Sequence, residues 1–115
     1  MMPWFKVDDT LPFHDKVIAA GNAAMGLWVR AGAWSMQQLT DGWIPARIAH
    51  QLGTRREANR LCDAGLWEEK DGGYTFHEWN QRQPSRAKVM ADREENAARL
   101  REWRRQQKRK GETDV

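Results

Sequence analysis

A single cysteine, Cys62, leaves the chain without an internal disulfide. The N-terminal Met1-Met2-Pro3-Trp4-Phe5-Lys6 lacks a basic segment followed by an apolar one, so no signal peptide is read there and a cytoplasmic location is the expectation. No run of eighteen apolar residues occurs, so no membrane partner is expected. Histidine is sparse as well. His14, His50 and His77 fall in separate predicted elements, and with one cysteine they offer no zinc-like spacing. Gly21, Gly26 and Gly32 are scattered and Gly72-Gly73 belongs to a hairpin, so no phosphate-cradling glycine loop is present. The neighbouring carboxylates Asp8/Asp9 and Glu68/Glu69 would diverge in a loop or strand. Cys62 with a histidine is the one conceivable nucleophilic pair, yet Cys62 follows Leu61 on the predicted inner face of a helix. The expectation is a non-enzymatic chain with no metal and no cofactor.

Tryptophan, by contrast, is abundant. Seven in 115 residues, within a hydrophobic fraction of 40%, supply buried area for one small core. Charge is unevenly placed: residues 1–81 hold 8 Lys/Arg against 10 Asp/Glu, a balance of −2, and residues 82–115 hold 11 against 6, a balance of +5. Within 99–110, Arg99, Arg101, Arg104, Arg105, Lys108, Arg109 and Lys110 are opposed only by Glu102. A basic arm on a near-neutral domain suits a polyanion, most often nucleic acid. A solvated helix face is the plainer alternative.

Along the chain, Trp4-Phe5-Lys6-Val7 reads as a short strand and Asp8-Asp9-Thr10 as a polar break. His14 to Ala20 reads as a short helix with Gly21 after its end. Asn22 is the expected cap of a longer helix running to about Gln38, in which Met25, Trp28, Val29 and Met36 recur at helical spacing. Gly26 and Gly32 would each cost that helix about 1 kcal/mol relative to Ala. They are therefore expected to make room beside Trp28 and Trp34, with Trp28 at the centre of the core.

The following block carries the fold. Leu39-Thr40-Asp41-Gly42-Trp43-Ile44 is an extended piece with an Asp-Gly turn, and Pro45 suits the first turn of a helix ending at Leu52. Gly53 is expected to end that helix in a left-handed conformation. Thr54 then caps a second helix, Arg55 to about Ala64, with Glu57 completing a capping box and Gly65 closing it. Leu66 to Lys70 and Tyr74-Thr75-Phe76 flank Asp71-Gly72-Gly73 as a β-hairpin with a three-residue loop. The order defines the expected fold class: mainly α with a small β-hairpin wing, a winged helix-turn-helix over residues 1–84. Beyond Pro84, Ser85 should cap a basic helical tail, residues 85–115, helical from Arg86 to about Lys110 and disordered from Gly111. Val89, Leu100 and Trp103 fall near one stripe interrupted by Arg93 and Asn96, which would permit docking on the domain or loose pairing into a homodimer.

On the second helix of the pair, Ala58, Leu61 and Cys62 would face inward, leaving Arg55, Arg56, Asn59 and Arg60 outward. Such a face offers cations for phosphates, bidentate arginine for guanine and an amide for adenine, in the turns that helix-turn-helix proteins bring to the major groove of double-stranded DNA. Its plainer reading is a surface helix with Glu57 and Asp63 as charge partners. The wing is acidic at Glu68, Glu69 and Asp71, with Lys70 as its one cation, and would repel a DNA backbone.

The run Ala20-Gly21-Asn22-Ala23-Ala24-Met25-Gly26-Leu27-Trp28-Val29-Arg30-Ala31-Gly32-Ala33-Trp34, together with Pro3-Trp4-Phe5-Lys6-Val7-Asp8-Asp9, Leu39-Thr40-Asp41-Gly42 and Ala64-Gly65-Leu66-Trp67, resembles small proteins of actinobacterial phages and prophages. These are similar to the winged-helix N-terminal domain of phage replication-initiation (replisome-organiser) proteins, over roughly residues 3–84. The resemblance implies binding of origin or regulatory DNA and contact with replication proteins. A basic helix in place of a long helicase-loading region points to a DNA-binding accessory or transcription regulator. The competing expectation is an adaptor that binds a replication or transcription protein through the acidic wing and exposed tryptophans; Trp43, Trp67 and Trp79 are either core, the more frequent fate of such rings, or part of that interface.

Overall fold

A computed structural model describes residues 3–113. Met1 and Met2, part of the N-terminus read for a signal peptide, lie outside the described residues, as do Asp114 and Val115 of the expected disordered end. A short 3₁₀ turn at Leu11–Phe13 leads into α1 (Asp15–Ala20) and α2 (Asn22–Gln38). Then come β1 (Trp43–Pro45), α3 (Ala46–Leu52), α4 (Arg55–Asp63), β2 (Trp67–Lys70), β3 (Gly73–Phe76), α5 (Trp79–Arg82) and α6 (Arg86–Thr113). The chain is mainly helical with one small antiparallel sheet of order β1-β3-β2. It divides into two compact units at Ser85 and Arg86, the second being α6.

Within the first unit, α2 presents Ala24, Leu27, Ala31 and Met36 inward, against α3 and α4. Ala49 of α3, with Ala58 and Leu61 of α4, closes that helical side, and Ile44, Trp67, Tyr74, Phe76 and Trp79 close the sheet side. Trp67, at 1% exposure, is the largest fully buried side chain, whereas Trp28 is only partly buried at the cluster's edge. The centre of the core is therefore Trp67, and the expectation for Trp28 is corrected. Position explains the difference: Trp67 starts β2 with its ring turned against Tyr74 at 5.2 Å and Phe76 at 5.5 Å.

Short-range signals set most element ends. The His14 ring caps α1 by accepting the Lys16 backbone N–H at 3.2 Å. The Thr54 hydroxyl accepts from the Glu57 N–H and the Glu57 carboxylate accepts from the Thr54 N–H, both at 3.1 Å, completing the capping box on α4. Ser35, fully buried, takes the Gly42 N–H at 2.8 Å and bonds the Thr40 hydroxyl at 2.6 Å, tying the end of α2 to the turn before β1.

Several local expectations change. The α2 N-cap is Gly21, with Asn22 as the first helical residue. Gly26 faces open space, and Gly32 makes room for the Phe5 ring rather than for Trp28 or Trp34. Pro45 ends β1 and is the N-cap of α3, at ψ 143°. Gly53 is extended, at φ −156°, and its small size spares a contact with Leu27 that a Cβ would make at 3.1 Å. The hairpin loop is two residues, because Gly73 already pairs with Lys70. Asp71 and Gly72 take φ 52° and 77°, the left-handed pair that a two-residue hairpin of matching twist requires. Helix α6 continues through Gly111 to Thr113.

Trp4 to Val7 is not a strand. Its one strand-like partner is a side chain: Lys6 N–H donates to Gln83 Oε1 at 2.9 Å and Gln83 Nε2 donates to Lys6 O at 2.6 Å. A single primary amide, 77 positions away, pairs both backbone groups of Lys6 as a neighbouring strand would.

Candidate nucleic-acid interface

Helix α4 is built as expected on its inner side, with Ala58 and Leu61 fully buried and Cys62 half-buried. Burial pushes the Cys62 thiol up from its ordinary pKa, and the charges of Glu69 and Asp63 push it further. An activated nucleophile needs the opposite environment.

Arg55, Arg56, Asn59 and Arg60 are exposed. The Glu57 carboxylate serves the Thr54 N–H, and among the described residues Arg55, Arg56 and Arg60 form no ion pair. Arg60 stands at one margin of this face, its Nη1 being the atom that a Cβ on Gly21 would meet at 3.8 Å. Arg55 stands at the other margin, near Tyr74 on β3, whose phenol pKa is raised by burial and by Cys62 and Glu69, with the Arg55 charge opposing.

Three cross-links tie the hairpin to β1 and α3. The Trp43 indole N–H donates to Lys70 O at 3.0 Å, Ala46 N–H donates to Gly72 O at 3.2 Å, and His50 Nε2 bonds Tyr74 Oη at 3.0 Å. Arg47, exposed at the start of α3 beside the Gly72 turn, is a cation that the sequence reading did not single out. Nothing in its spacing marks it, because the hairpin tip reaches it only through the fold. Glu68, Glu69, Lys70 and Asp71 are all exposed, so the hairpin carries more acid than base at this end.

Of the tryptophans expected at an exposed protein-contact surface, Trp67 and Trp79 are buried and Trp43 is half-buried. The core alternative holds for Trp67 and Trp79, and the exposed-surface alternative fails for them: sheet pairing and the aromatic cluster take these rings inward. The exposed indoles are Trp4 and Trp103.

Helix α6, considered by itself, exposes Arg99, Arg101, Arg104, Arg105, Lys108, Arg109 and Lys110. Carboxylates oppose more of this charge than the 99–110 count suggests. Glu95 lies 2.7 Å from Arg99, Glu94 lies 3.5 Å from Arg101, and Glu102 lies 3.6 Å from Arg105. Exposed pairs of this kind contribute roughly 0–1 kcal/mol and exchange readily for a stronger anion.

Among the described residues no helix is long and apolar enough to cross a membrane. Comparison with known protein families, curated proteins and solved structures finds no match for this chain.

Proposed function

We propose that the chain is a winged helix-turn-helix protein that binds double-stranded DNA, with α3 and α4 as the helix pair and β2–β3 as the wing. The carrying observation is the outward face of α4, where three arginines and an asparagine stand exposed, with no carboxylate on the arginines among the described residues. The order β1-α3-α4-β2-β3, with β1 paired to β3, supports the winged reading. In it Arg55, Arg56, Asn59 and Arg60 meet the major groove, Arg47 meets a flanking phosphate, and the α6 cations from Arg99 to Lys110 add contacts to phosphates. The resemblance to phage replication-initiation domains extends the proposal to phage DNA replication or its regulation, in the cytoplasm of the host.

The acidic wing supports a second reading, an adaptor in which Glu68, Glu69 and Asp71 dock a basic surface of a replication or transcription protein. Trp67 and Trp79, being core, no longer contribute to it.

Fluorescence anisotropy on random duplex and on duplexes from the cognate phage region tests both. Arg55→Ala, Arg56→Ala and Asn59→Ala should each lose roughly 1–3 kcal/mol of binding on a preferred duplex where they touch bases, with unchanged melting temperatures. The adaptor reading expects DNA affinity untouched by these variants and partner binding lost on changing Glu68 and Glu69. Wild-type binding no tighter than that of an isolated α6 peptide would remove α4 as the reader of DNA.

A further inference from the structure

The unit that ends at Ser85 contains a cavity of about 360 Å³, within the range of roughly 300–1,000 Å³ common for small-molecule sites. Leu11, Val17, Trp28, Leu66, Phe76 and Trp79 supply its apolar lining. Phe76 lies 5.7 Å from Trp28 and 5.2 Å from Trp79 between ring centroids. Phe5, which also lines the cavity, stacks on Trp79 at 5.8 Å with 16° between the planes. Aromatic faces and edges in this arrangement suit a flat apolar body.

Charge around the cavity separates into a satisfied part and a surplus. Arg82 lies between both carboxylates, 3.6 Å from Asp8 and 3.7 Å from Glu78. Asp8 Oδ1 also accepts the Thr10 N–H and hydroxyl, both at 2.8 Å, and Glu78 reaches His77 at 3.2 Å. Lys6 and Lys16 line the same cavity and have no carboxylate partner among the described residues. Lys16 is steered by the end of α4, its stem and ammonium lying 3.5–3.8 Å from where a Gly65 Cβ would be. His14 adds a donor: its Nδ1 accepts the Lys16 N–H, which leaves the proton of the neutral ring on Nε2. Apart from the Gln81 amide, which both donates and accepts, the unpaired lining side chains are donors or cations around an apolar floor.

We infer that this cavity binds a small planar aromatic carboxylate, its ring against Trp28, Phe76 and Trp79 and its carboxylate between Lys6 and Lys16. A neutral ring leaves the ammonium groups unused, and inorganic phosphate leaves the apolar floor wet. The site uses none of the outward residues of α4, so it stands or falls separately from the DNA-binding proposal.

Calorimetric titration of the full chain with phenylacetate and phenylacetamide tests this, the two probes sharing ring and shape and differing in charge. Saturable binding of phenylacetate at one site, about tenfold tighter than phenylacetamide, is expected from a charge-assisted contact. Lys6→Gln and Lys16→Gln should each weaken phenylacetate several-fold while leaving phenylacetamide affinity and the melting temperature unchanged. Equal affinity for the two probes, no saturable heat with phenylacetate, or lysine variants that bind phenylacetate as the wild type does would each overturn the inference.

Discussion

Trp67 and Trp43 occupy the two outer strands of one small sheet, yet they differ in burial and in the state of the indole N–H. Trp43 donates to Lys70 O and stays half-exposed. Trp67 is enclosed, and its N–H has no acceptor among the described residues. A buried donor left unpaired costs about 1–3 kcal/mol, which the burial of the large ring outweighs. Trp67→Ala should therefore cost about 3–5 kcal/mol and lower the melting temperature by well over 10 °C, at about 4–8 °C per kcal/mol for a domain of this size. Trp43→Ala should cost clearly less. Thermal denaturation followed by circular dichroism compares the two, and equal losses would contradict this account of the core. Both tryptophans are conspicuous in the sequence. Which one is enclosed depends on register: Trp43 pairs with Thr75 and Trp67 with Phe76, which point to opposite faces of β3.

Asp8 is a second case where a neighbour sets the chemistry. The Thr10 backbone N–H and then its hydroxyl hold the carboxyl below its ordinary pKa, with Arg82 contributing. A folded-state pKa below the unfolded one means stabilisation that is present above the unfolded value and lost as pH falls through the folded one. Asp8→Asn should thus melt below wild type at about pH 6, with the gap closing as pH falls below the ordinary aspartate range of about 4. A gap that stays constant across that interval would show that the carboxylate charge is not engaged.

At the scale of elements, local codes account for α4 and the hairpin. Thr54 and Glu57 satisfy one another's backbone donors within four residues, so the start of α4 is written in a short stretch of chain. Thr54→Ala should destabilise the fold by about 1 kcal/mol, seen as a fall of about 4–8 °C in melting temperature. By contrast, the segment from Trp4 to Val7 resembles a strand in composition but finds no strand to pair with. The amide of Gln83 takes that place, and nothing near Lys6 in sequence announces it. Gly53 and Gly32 make a related point. Each was readable as punctuation or as a packing site, but the atoms that require a glycine, on Leu27 and Phe5, come from distant segments.

For the whole molecule, the division at Ser85 and Arg86 sets what each part should do alone. A truncation ending near Pro84 keeps the aromatic cluster, the sheet and the helix pair, and should unfold in one cooperative thermal transition. Loss of that transition would show that the core needs α6. In the DNA-binding proposal the stretch 99–110 of the tail has seven cations, at least three of which have carboxylates to exchange within their own helix. It should neutralise roughly five phosphates, giving a slope of log affinity against log salt of about −4 to −5. Removing residues 99–115 should flatten that slope and weaken all sequences alike. An unchanged slope would make the tail a bystander.

The sequence by itself determined the features whose causes lie within a few residues. These are the capping box, the hairpin around Asp71-Gly72, the mainly helical character and the concentration of positive charge after residue 81. Helix periodicity also determined which side of α4 turns inward, because Ala58 and Leu61 are the small and apolar positions of an otherwise charged helix. Tertiary structure alone decided the pairing of β1 with β3, the burial of Trp67 and Trp79, the Gln83 bridge to Lys6 and the cavity bordered by Lys6 and Lys16. Each of these joins segments far apart in the chain. Dihedral preference and capping act over one or two turns, whereas burial is shared among whichever distant surfaces exclude water together.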